Sequence, residues 1–389
     1  MWILYGIAFL PALVWFVLWI LSKKINFQEL GIAVVASLIL AVIFHVSIYT
    51  SMTSDTEVLS GQIVRATFHP KWIEEYQQMH STTTTDSKGN SHTTYYYTTE
   101  HRTHHEYWDC DTDLRYSKNI SKDFFEEIKR NFNNLTTERP YKSGFDGGDR
   151  NIYVSYNKTG YVYPVTSTRD FKNLLKCSKT VYSMPEVPAN VKVFEYPYPD
   201  NWLVSNRLIN ENRISRYDFD CFNTSLGFRK RINVIMINFG GNSDSGIAEY
   251  QRCKFLGGKK NDFVICYSKD GTNNWAKVFS WSESELCKRN IETIILKNPI
   301  NKNILPVLRN EIVLNYAPKD WSKFDYISIE PSPTSLIVYL IVILVLQISF
   351  GVWCFMNEFD KENEGRQSFR NWPFDQYNDY RREWRNKRR

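Results

Sequence analysis

Three stretches of this chain contain no Asp, Glu, Lys or Arg: Met1 to Leu21, Leu30 to Ile48 and Leu336 to Phe355. Each is about 20 residues long, the length an α-helix needs to cross a bilayer. The lack of any carboxylate or basic group inside them argues against an ion-coupled transporter or pump. The first stretch does not read as a typical cleavable signal peptide, because no basic residue precedes its apolar run and Trp15 and Trp19 stand where small residues are expected. Other absences narrow the chemistry. No Gly-Lys-Ser/Thr closes a phosphate loop, no dinucleotide fingerprint follows a strand, and there is no His-Glu-x-x-His helix. No cysteine pair has zinc-ligand spacing. No Ser-His-Asp order or paired carboxylates stand out, so no catalytic residue and no cofactor can be named.

What is present is arranged around the apolar stretches. Lys23 and Lys24 follow the first, and Arg381, Arg382, Arg385, Lys387, Arg388 and Arg389 crowd the C-terminus. Basic residues near spans mark the cytoplasmic side. Three spans then place Met1, and everything from about Tyr49 to Pro333, on the outer side, periplasmic for a bacterial inner membrane. The expected layout is two transmembrane helices with a short cytoplasmic loop over 1–50 and a β-rich extracytoplasmic domain over 51–200. An α/β domain over 201–332, a third span over 333–356 and a basic, aromatic cytoplasmic tail over 357–389 complete it. The chain's net charge is +6, and its densest basic cluster is the last nine residues, six basic groups against one acid, which is not a nucleic-acid footprint. Cys110, Cys177, Cys221, Cys253, Cys266 and Cys287 form an even set in the outer region that an oxidising compartment could pair. Cys253 and Cys266 equally fit buried free thiols. His45, the one titratable side chain in the first two spans, reads as reaching for headgroups.

Val58 to Phe68 reads as a strand. A long hairpin follows, its arms Ser81–Thr85 and Thr93–Tyr97 polar on both faces around a turn at Asp86 to Asn90. Ser121 caps a helix that buries Phe124, Ile128 and Phe132. Strands are predicted at Ile152 to Tyr156 and Tyr161 to Val165, and a proline-rich link runs from Met184 to Pro199. A helix from Ile214 to Leu226 is expected to close at Gly227. The β-branched run Ile232 to Phe239 is a buried strand. Ile247, Tyr250, Cys253 and Leu256 recur at helical spacing, Gly257-Gly258 stops that helix, and Phe263 to Tyr267 returns as a second strand. That is a βαβ unit. Trp275 to Trp281 gives a further strand, Ser282 and Glu285 a capping box, and Ile304 to Tyr316 a last helix.

Candidate site residues come from three places. The loop after the first strand of the βαβ unit lies where open α/β sheets bind ligands. Asn242 and Asp244 there, with Asp262 at the second strand, are candidates for a cation, against plain capping by Asp244. His101, His104 and His105 are the densest set of potential metal ligands, although alternation along a strand lets at most two of them converge. In the tail, Tyr377, Tyr380 and Trp384 share one helical face, and Arg381, Arg385 and Arg388 form a neighbouring stripe. That is the pattern of a helix lying on a membrane surface.

The order helix, Leu226-Gly227, basic turn, Asn233-Val234-Ile235, helix, Leu256-Gly257-Gly258-Lys259-Lys260-Asn261-Asp262, buried strand and Trp275 to Trp281 resembles membrane proteins encoded by tailed bacteriophages. The Thr/Tyr/His hairpin is similar to theirs as well. More distantly, Arg216 to Tyr316 looks like a TPM domain, an α/β module tethered outside a membrane and linked to phosphatase activity and to assembly roles. In that family an Asn-Gly enters the second strand, where this chain has Asn261-Asp262. Together the residues and the resemblance give the expected fold, an α+β membrane-anchored protein with three transmembrane helices, a β-rich hairpin domain and a TPM-like α/β sandwich. The expected function is a membrane-tethered interaction module in the host envelope, with the lipid bilayer and an envelope protein as partners. Nucleic acid is not a partner, and an oligomer is compatible. The alternatives are a metal-dependent, phosphatase-like hydrolase on the α/β domain or a structural subunit of a membrane complex.

Overall fold

The computed structural model describes residues 2–22, 27–139, 151–177 and 184–357. In chain order its elements begin with α1 (Trp2–Ser22), α2 (Phe27–Thr53), β1 (Ser54–His69), β2 (Trp72–Thr85), β3 (Ser91–His104), β4 (Tyr107–Thr112) and β5 (Ser117–Asn119). Then come α3 (Lys122–Phe132), β6 (Thr136–Glu138), β7 (Ile152–Tyr156), β8 (Pro164–Lys172) and β9 (Leu208–Ile209). The chain continues through α4 (Arg216–Lys230), β10 (Asn233–Asn238), α5 (Ile247–Lys254), β11 (Asp262–Ser268) and β12 (Trp275–Phe279). It ends with α6 (Glu285–Lys297), α7 (Ile304–Asn315) and α8 (Pro333–Asn357). Two units result: Met1–Ser54 with Lys172–Tyr182 and Ser322–Arg389, and Asp55–Phe171 with Ser183–Trp321.

The first unit holds α1, α2 and α8. Two apolar segments among the described residues, Gln28–Thr53 and Pro333–Cys354, are long enough to cross a membrane by length and composition. The sequence predicts three. In α1 (Trp2–Ser22, with Pro11 inside the helix) the apolar stretch among the described residues is the shorter Trp2–Val17. Even so, α1 packs along both longer helices: Leu4 and Ala8 join Ala41, Ile48, Tyr339 and Ile343, and Trp15 joins Leu30, Ala33 and Cys354. Gln347 on α8 donates to Ala33 O (3.1 Å) and Ser37 Oγ (2.8 Å) on α2, the interhelical polar bonding that apolar surroundings favour. His45 does not stand free toward headgroups, since its Nδ1 bonds the Tyr5 hydroxyl at 2.9 Å.

In the second unit, β5-β4-β1-β7-β6 form a sheet in that order, with β8 also paired to β1. Helix α3 covers it, burying Phe125, Ile128 and Phe132 against Ile63, Ala66 and Cys110. Its cap is as predicted: Ser121 Oγ accepts from Phe124 N at 3.2 Å. Strands β2 and β3 pair only with each other among the described residues, as a separate two-stranded sheet.

The α/β sheet has the order β12-β11-β10-β9, with β9, β10 and β11 parallel and β12 antiparallel. Every residue of β10 and β11 is buried, because helices or chain cover both faces, and this is why these strands read as unbroken apolar runs. Val234, Met236, Phe263 and Ile265 face α4, α6 and α7. Ile235, Ile237, Val264 and Cys266 face α5 and the segment from Val191 to Tyr196. That segment, read from sequence as a proline-rich link, is bonded in both directions to the buried Gln251 side chain on α5 (2.8 and 2.9 Å).

Three local expectations are corrected. Gly227 does not end a helix: α4 runs on to Lys230 and is capped by Arg231 at φ 51°. Gly227 is there because the Ser60 backbone passes so close that a Cβ would collide with its carbonyl. Ser282 does not cap α6, whose N-cap is Ser284; the Ser282 hydroxyl donates instead to Ala317 O at 2.7 Å. Helix α5 stops at Lys254, and Leu256 leaves it at φ 53°, so Leu256 is exposed rather than on the buried face. All seven cysteines are free, dispersed over separate elements, so the even set forms no bridge.

Candidate functional site

The carboxyl ends of the parallel strands are where this architecture offers a ligand position. Asn242 and Asp244 are there. The Asn242 side chain accepts from Asp244 N (2.9 Å), and Asp244 Oδ1 accepts from Gly246 N (2.8 Å), just ahead of α5. Both act as local turn-makers. Asp262 is not with them. It pairs with Asn233 at the start of the parallel ladder, whereas the loop follows Asn238, which pairs with Tyr267 at the other end. Five strand steps, about 17 Å, separate the two ends. A parallel βαβ unit necessarily puts the exit of one strand and the entry of the next at opposite ends, so Asn242, Asp244 and Asp262 cannot share a cation.

The groups that gather at the carboxyl end were not read from sequence. Glu211, its side chain sealed from solvent, takes a two-pronged contact from Arg213 (Nε–Oε1 2.9 Å, Nη2–Oε2 2.6 Å) and a hydrogen bond from the Tyr267 hydroxyl (2.5 Å). Arg213 Nη1 also reaches Asp270 Oδ1 at 2.9 Å. Burial alone would raise the Glu211 carboxyl, but the bonds from Arg213 and Tyr267 hold it below its ordinary value. The Tyr267 phenol is pushed up, first by burial and then by its bond to Glu211. A carboxylate so occupied is a structural counter-ion rather than a base. The signal for it was Glu211-x-Arg213, but the two-residue β9 that positions it is too short to predict.

At the opposite end lies a buried polar network. Asp262 accepts from Asn233 Nδ2 (2.8 Å), Lys259 N (2.7 Å) and, at both oxygens, the Tyr196 hydroxyl (3.1 and 2.9 Å). Asn233 Oδ1 in turn accepts from Arg207 Nη1 (3.1 Å), which also donates to Ser60 Oγ. Arg207 Nε bonds Ser205 Oγ (2.5 Å) and Nη2 bonds Asp220 Oδ1 (3.1 Å). Burial pushes the Asp262 and Asp220 carboxyls up and lowers Arg207. The guanidinium nevertheless stays charged, as arginine does in proteins. Lys259 is paired with the buried Asp55 and lies over the rings of Tyr196 and Tyr198. These groups face one another and lock β1 onto the α/β sheet, with Asn261 Nδ2 bonding Val58 O (2.5 Å) and Thr224 Oγ1 bonding Gly61 O (3.0 Å).

A cavity of about 510 Å³ opens between α5, β12 and α6. Of its lining charges Arg252 pairs with Glu249 and Lys288 with Glu285, and Lys277 lines it as well.

The histidines are spread along the hairpin. His104 bonds Glu74 at 2.7 Å and stacks on Trp72, His101 lies 3.7 Å from Glu75, and His105 falls beyond the end of β3. Among the described residues no three His, Cys, Asp or Glu side chains converge to hold a metal. The hairpin is an arm of 14 paired positions, about 45 Å long. One face carries the stacked pairs Trp72–His104 and His80–Tyr96 and Arg102 over Tyr76. The other exposes Ile73, Met79, Tyr95 and Tyr97. Tyr377, Tyr380, Arg381, Trp384, Arg385 and Arg388 lie outside the described residues. No protein-family model, no curated protein and no solved structure matches this chain.

Proposed function

We propose that the chain is a membrane-tethered interaction module whose middle segment stands on the extracytoplasmic side of a bacterial inner membrane, with the hairpin arm as its reaching element. The observation that carries this reading is the arm itself: two 14-residue strands with their faces open to solvent, one face exposing the adjacent Met79, Tyr95 and Tyr97, with Ile73 nearer the base. Clustered exposed aromatic and apolar side chains mark contact surfaces. The apolar segments Gln28–Thr53 and Pro333–Cys354 bracket the arm in sequence, which suits a tether. Lys23, Lys24 and the basic tail supply the orientation, C-terminus in the cytoplasm. The resemblance to bacteriophage membrane proteins and to the TPM domain favours a phage-encoded protein working in the host envelope. For the hydrolase alternative, Asp244 is used in a local turn and Asp262 lies at the other end of the sheet, while Glu211 at the strand ends is engaged by Arg213 and Tyr267.

Two measurements test this. A cysteine at Ser87, on the hairpin turn, should react with a membrane-impermeant reagent in intact spheroplasts; protection until lysis would overturn the placement. The intact chain should run in larger assemblies on native gels, and replacing Gln77 to Thr99 by a two-residue Asn-Gly turn should abolish them while leaving the melting temperature within a few degrees. Unchanged assemblies would remove the arm from the function.

A further inference from the structure

The outer edge of β3 has an internal symmetry that the pairing with β2 does not use. Thr93-Thr94-Tyr95-Tyr96-Tyr97-Thr98-Thr99 reads the same in both directions about Tyr96. The surrounding ladder fixes which backbone groups this edge presents. Asp86 N donates to Asn90 O at the turn, and the register from there is unbroken, with Thr84 opposite His92, Thr82 opposite Thr94 and His80 opposite Tyr96. In an antiparallel pair, hydrogen-bonded positions alternate. Tyr96 therefore directs its N–H and C=O at β2, while Thr93, Tyr95, Tyr97 and Thr99 direct theirs outward. No strand of the described residues pairs with that edge.

The edge is also unguarded. Exposed edge strands are ordinarily protected by charges, proline, a bulge or a covering element. From Ser91 to Thr99 there is no Asp, Glu, Lys, Arg or Pro, and the facing stretch Gln77 to Thr85 has none either. Tyr95, Tyr96 and Tyr97 are 61%, 50% and 65% exposed. A two-stranded ribbon is also below the three strands that independent stability in water requires.

We propose that the outer edge of β3 pairs, antiparallel and about a twofold axis at Tyr96, with the same edge of a second copy of this chain, giving a four-stranded sheet. The proposal rests on the reading of the hairpin as an interaction arm and names its partner. The twofold puts Tyr96 opposite Tyr96 of the second copy, Tyr95 opposite Tyr97, Thr94 opposite Thr98 and Thr93 opposite Thr99. Aromatic–aromatic and Thr–Thr are favourable cross-strand pairs. The first titratable groups beyond them, His92 and Glu100, fall opposite each other, and so do Ser91 and His101, so no like charges meet. The interface is isologous and closes on itself, as dimer interfaces do. It forms about eight backbone hydrogen bonds from groups now facing out. On the exposed face it gathers four tyrosines between the two copies of Met79. The outer edge of β2 offers no such match: its longest symmetric run, Thr82 to Thr85, carries no aromatic residue and ends at the turn, and Glu74 and Glu75 lie at its base.

The register makes the test specific. In full-length chains in membranes, a cysteine at Tyr96 meets itself across the axis at a non-hydrogen-bonded pair, where Cα atoms are about 4.5 Å apart. Tyr96→Cys should give a disulfide-linked homodimer under mild oxidation, above the background of the native cysteines. Thr94→Cys should do so only when combined with Thr98→Cys. Thr93→Lys/Thr99→Lys sets lysine against lysine twice and should lower the cross-linked fraction at Tyr96→Cys at least tenfold, whereas Thr93→Lys/Thr99→Glu should restore it. Equal cross-linking at all positions, or linkage of Tyr96→Cys to a different protein, would overturn the proposal. So would a failure of Tyr96→Cys to cross-link where Ser87→Cys is labelled from outside, and in that case the reading of an exposed arm would survive. Protection of Ser87→Cys would instead strike at that reading.

Discussion

Replacing Arg207 by leucine should be among the most damaging single changes in the chain. The Arg207 side chain is 2% exposed and its partner Asp220 12%. Truncating the guanidinium leaves the Asp220 carboxylate without its counter-ion, and removing one member of a buried pair costs about 3–5 kcal/mol. That is a large share of the roughly 5–15 kcal/mol that holds a domain together. Asp220→Leu should cost a similar amount, because it strands the guanidinium. The double change Arg207→Leu/Asp220→Leu removes both charges and should cost far less than the sum. What remains is mainly Asn233 Oδ1, which loses the Arg207 donor, at about 1–3 kcal/mol; the serine hydroxyls can turn to other partners. The two positions should therefore couple by about 3 kcal/mol or more. Denaturant unfolding of the purified full chain in detergent, followed by near-ultraviolet circular dichroism, measures all four corners of the cycle. A single substitution costing under about 1 kcal/mol, or a strictly additive double, would refute the account of this network as a buried, mutually satisfied set.

Glu211 should give the fold a dependence on acid. Its carboxyl is held below its ordinary value of 4.5 in the folded chain, so the unfolded chain binds more protons at low pH; its contribution is full above that value and fades as pH falls through the depressed one. Glu211→Gln should flatten the fall in urea midpoint from about pH 6 to about pH 3 relative to wild type, and an unchanged slope would exclude Glu211 as the group responsible. Gly227→Ala should destabilise by about 1–3 kcal/mol through collision with the Ser60 carbonyl, although alanine favours a helix interior over glycine by about 1 kcal/mol. A melting temperature that rises in this variant would mean that β1 does not pass close to α4.

The central βαβ unit was legible because its burial is total. Covered on both faces, β10 and β11 spell their strands in uninterrupted β-branched and aromatic residues, and no alternation has to be found. The hairpin was legible for the opposite reason, since its register hangs on an Asp86-to-Asn90 turn flanked by long Thr- and Tyr-rich arms. What escaped were features set by contact with distant chain. Gly227 looks like a helix stop in any window of sequence, and only the passage of Ser60 reveals that it is a clearance. Arg207 and Glu211 are ordinary polar letters beside a two-residue strand, and neither spacing nor periodicity says that both are sealed inside. Asp262 was misassigned by adjacency, although the parallel topology already predicted put it at the far end of the sheet from Asp244.

Whether α1 crosses the membrane bears on sidedness less than it first seems to. With three crossings, Met1 lies on the same side as the middle of the chain. With only the segments Gln28–Thr53 and Pro333–Cys354 crossing, Met1 moves to the opposite side or onto the surface. The proposed side of the residues between those two segments is the same in both cases, because if each segment crosses once, everything from β1 to the start of α8 falls on one face and both Lys23-Lys24 and the basic tail on the other. In the proposed topology the excess of basic residues assigns the cytoplasmic face, and the two clusters agree on that assignment. Helix α1, packed along α2 and α8 through Leu4, Ala8 and Trp15, completes a three-helix cluster whether or not its own apolar run spans the full thickness. The side on which the hairpin stands therefore depends on α2 and α8, while the count of spans depends on α1.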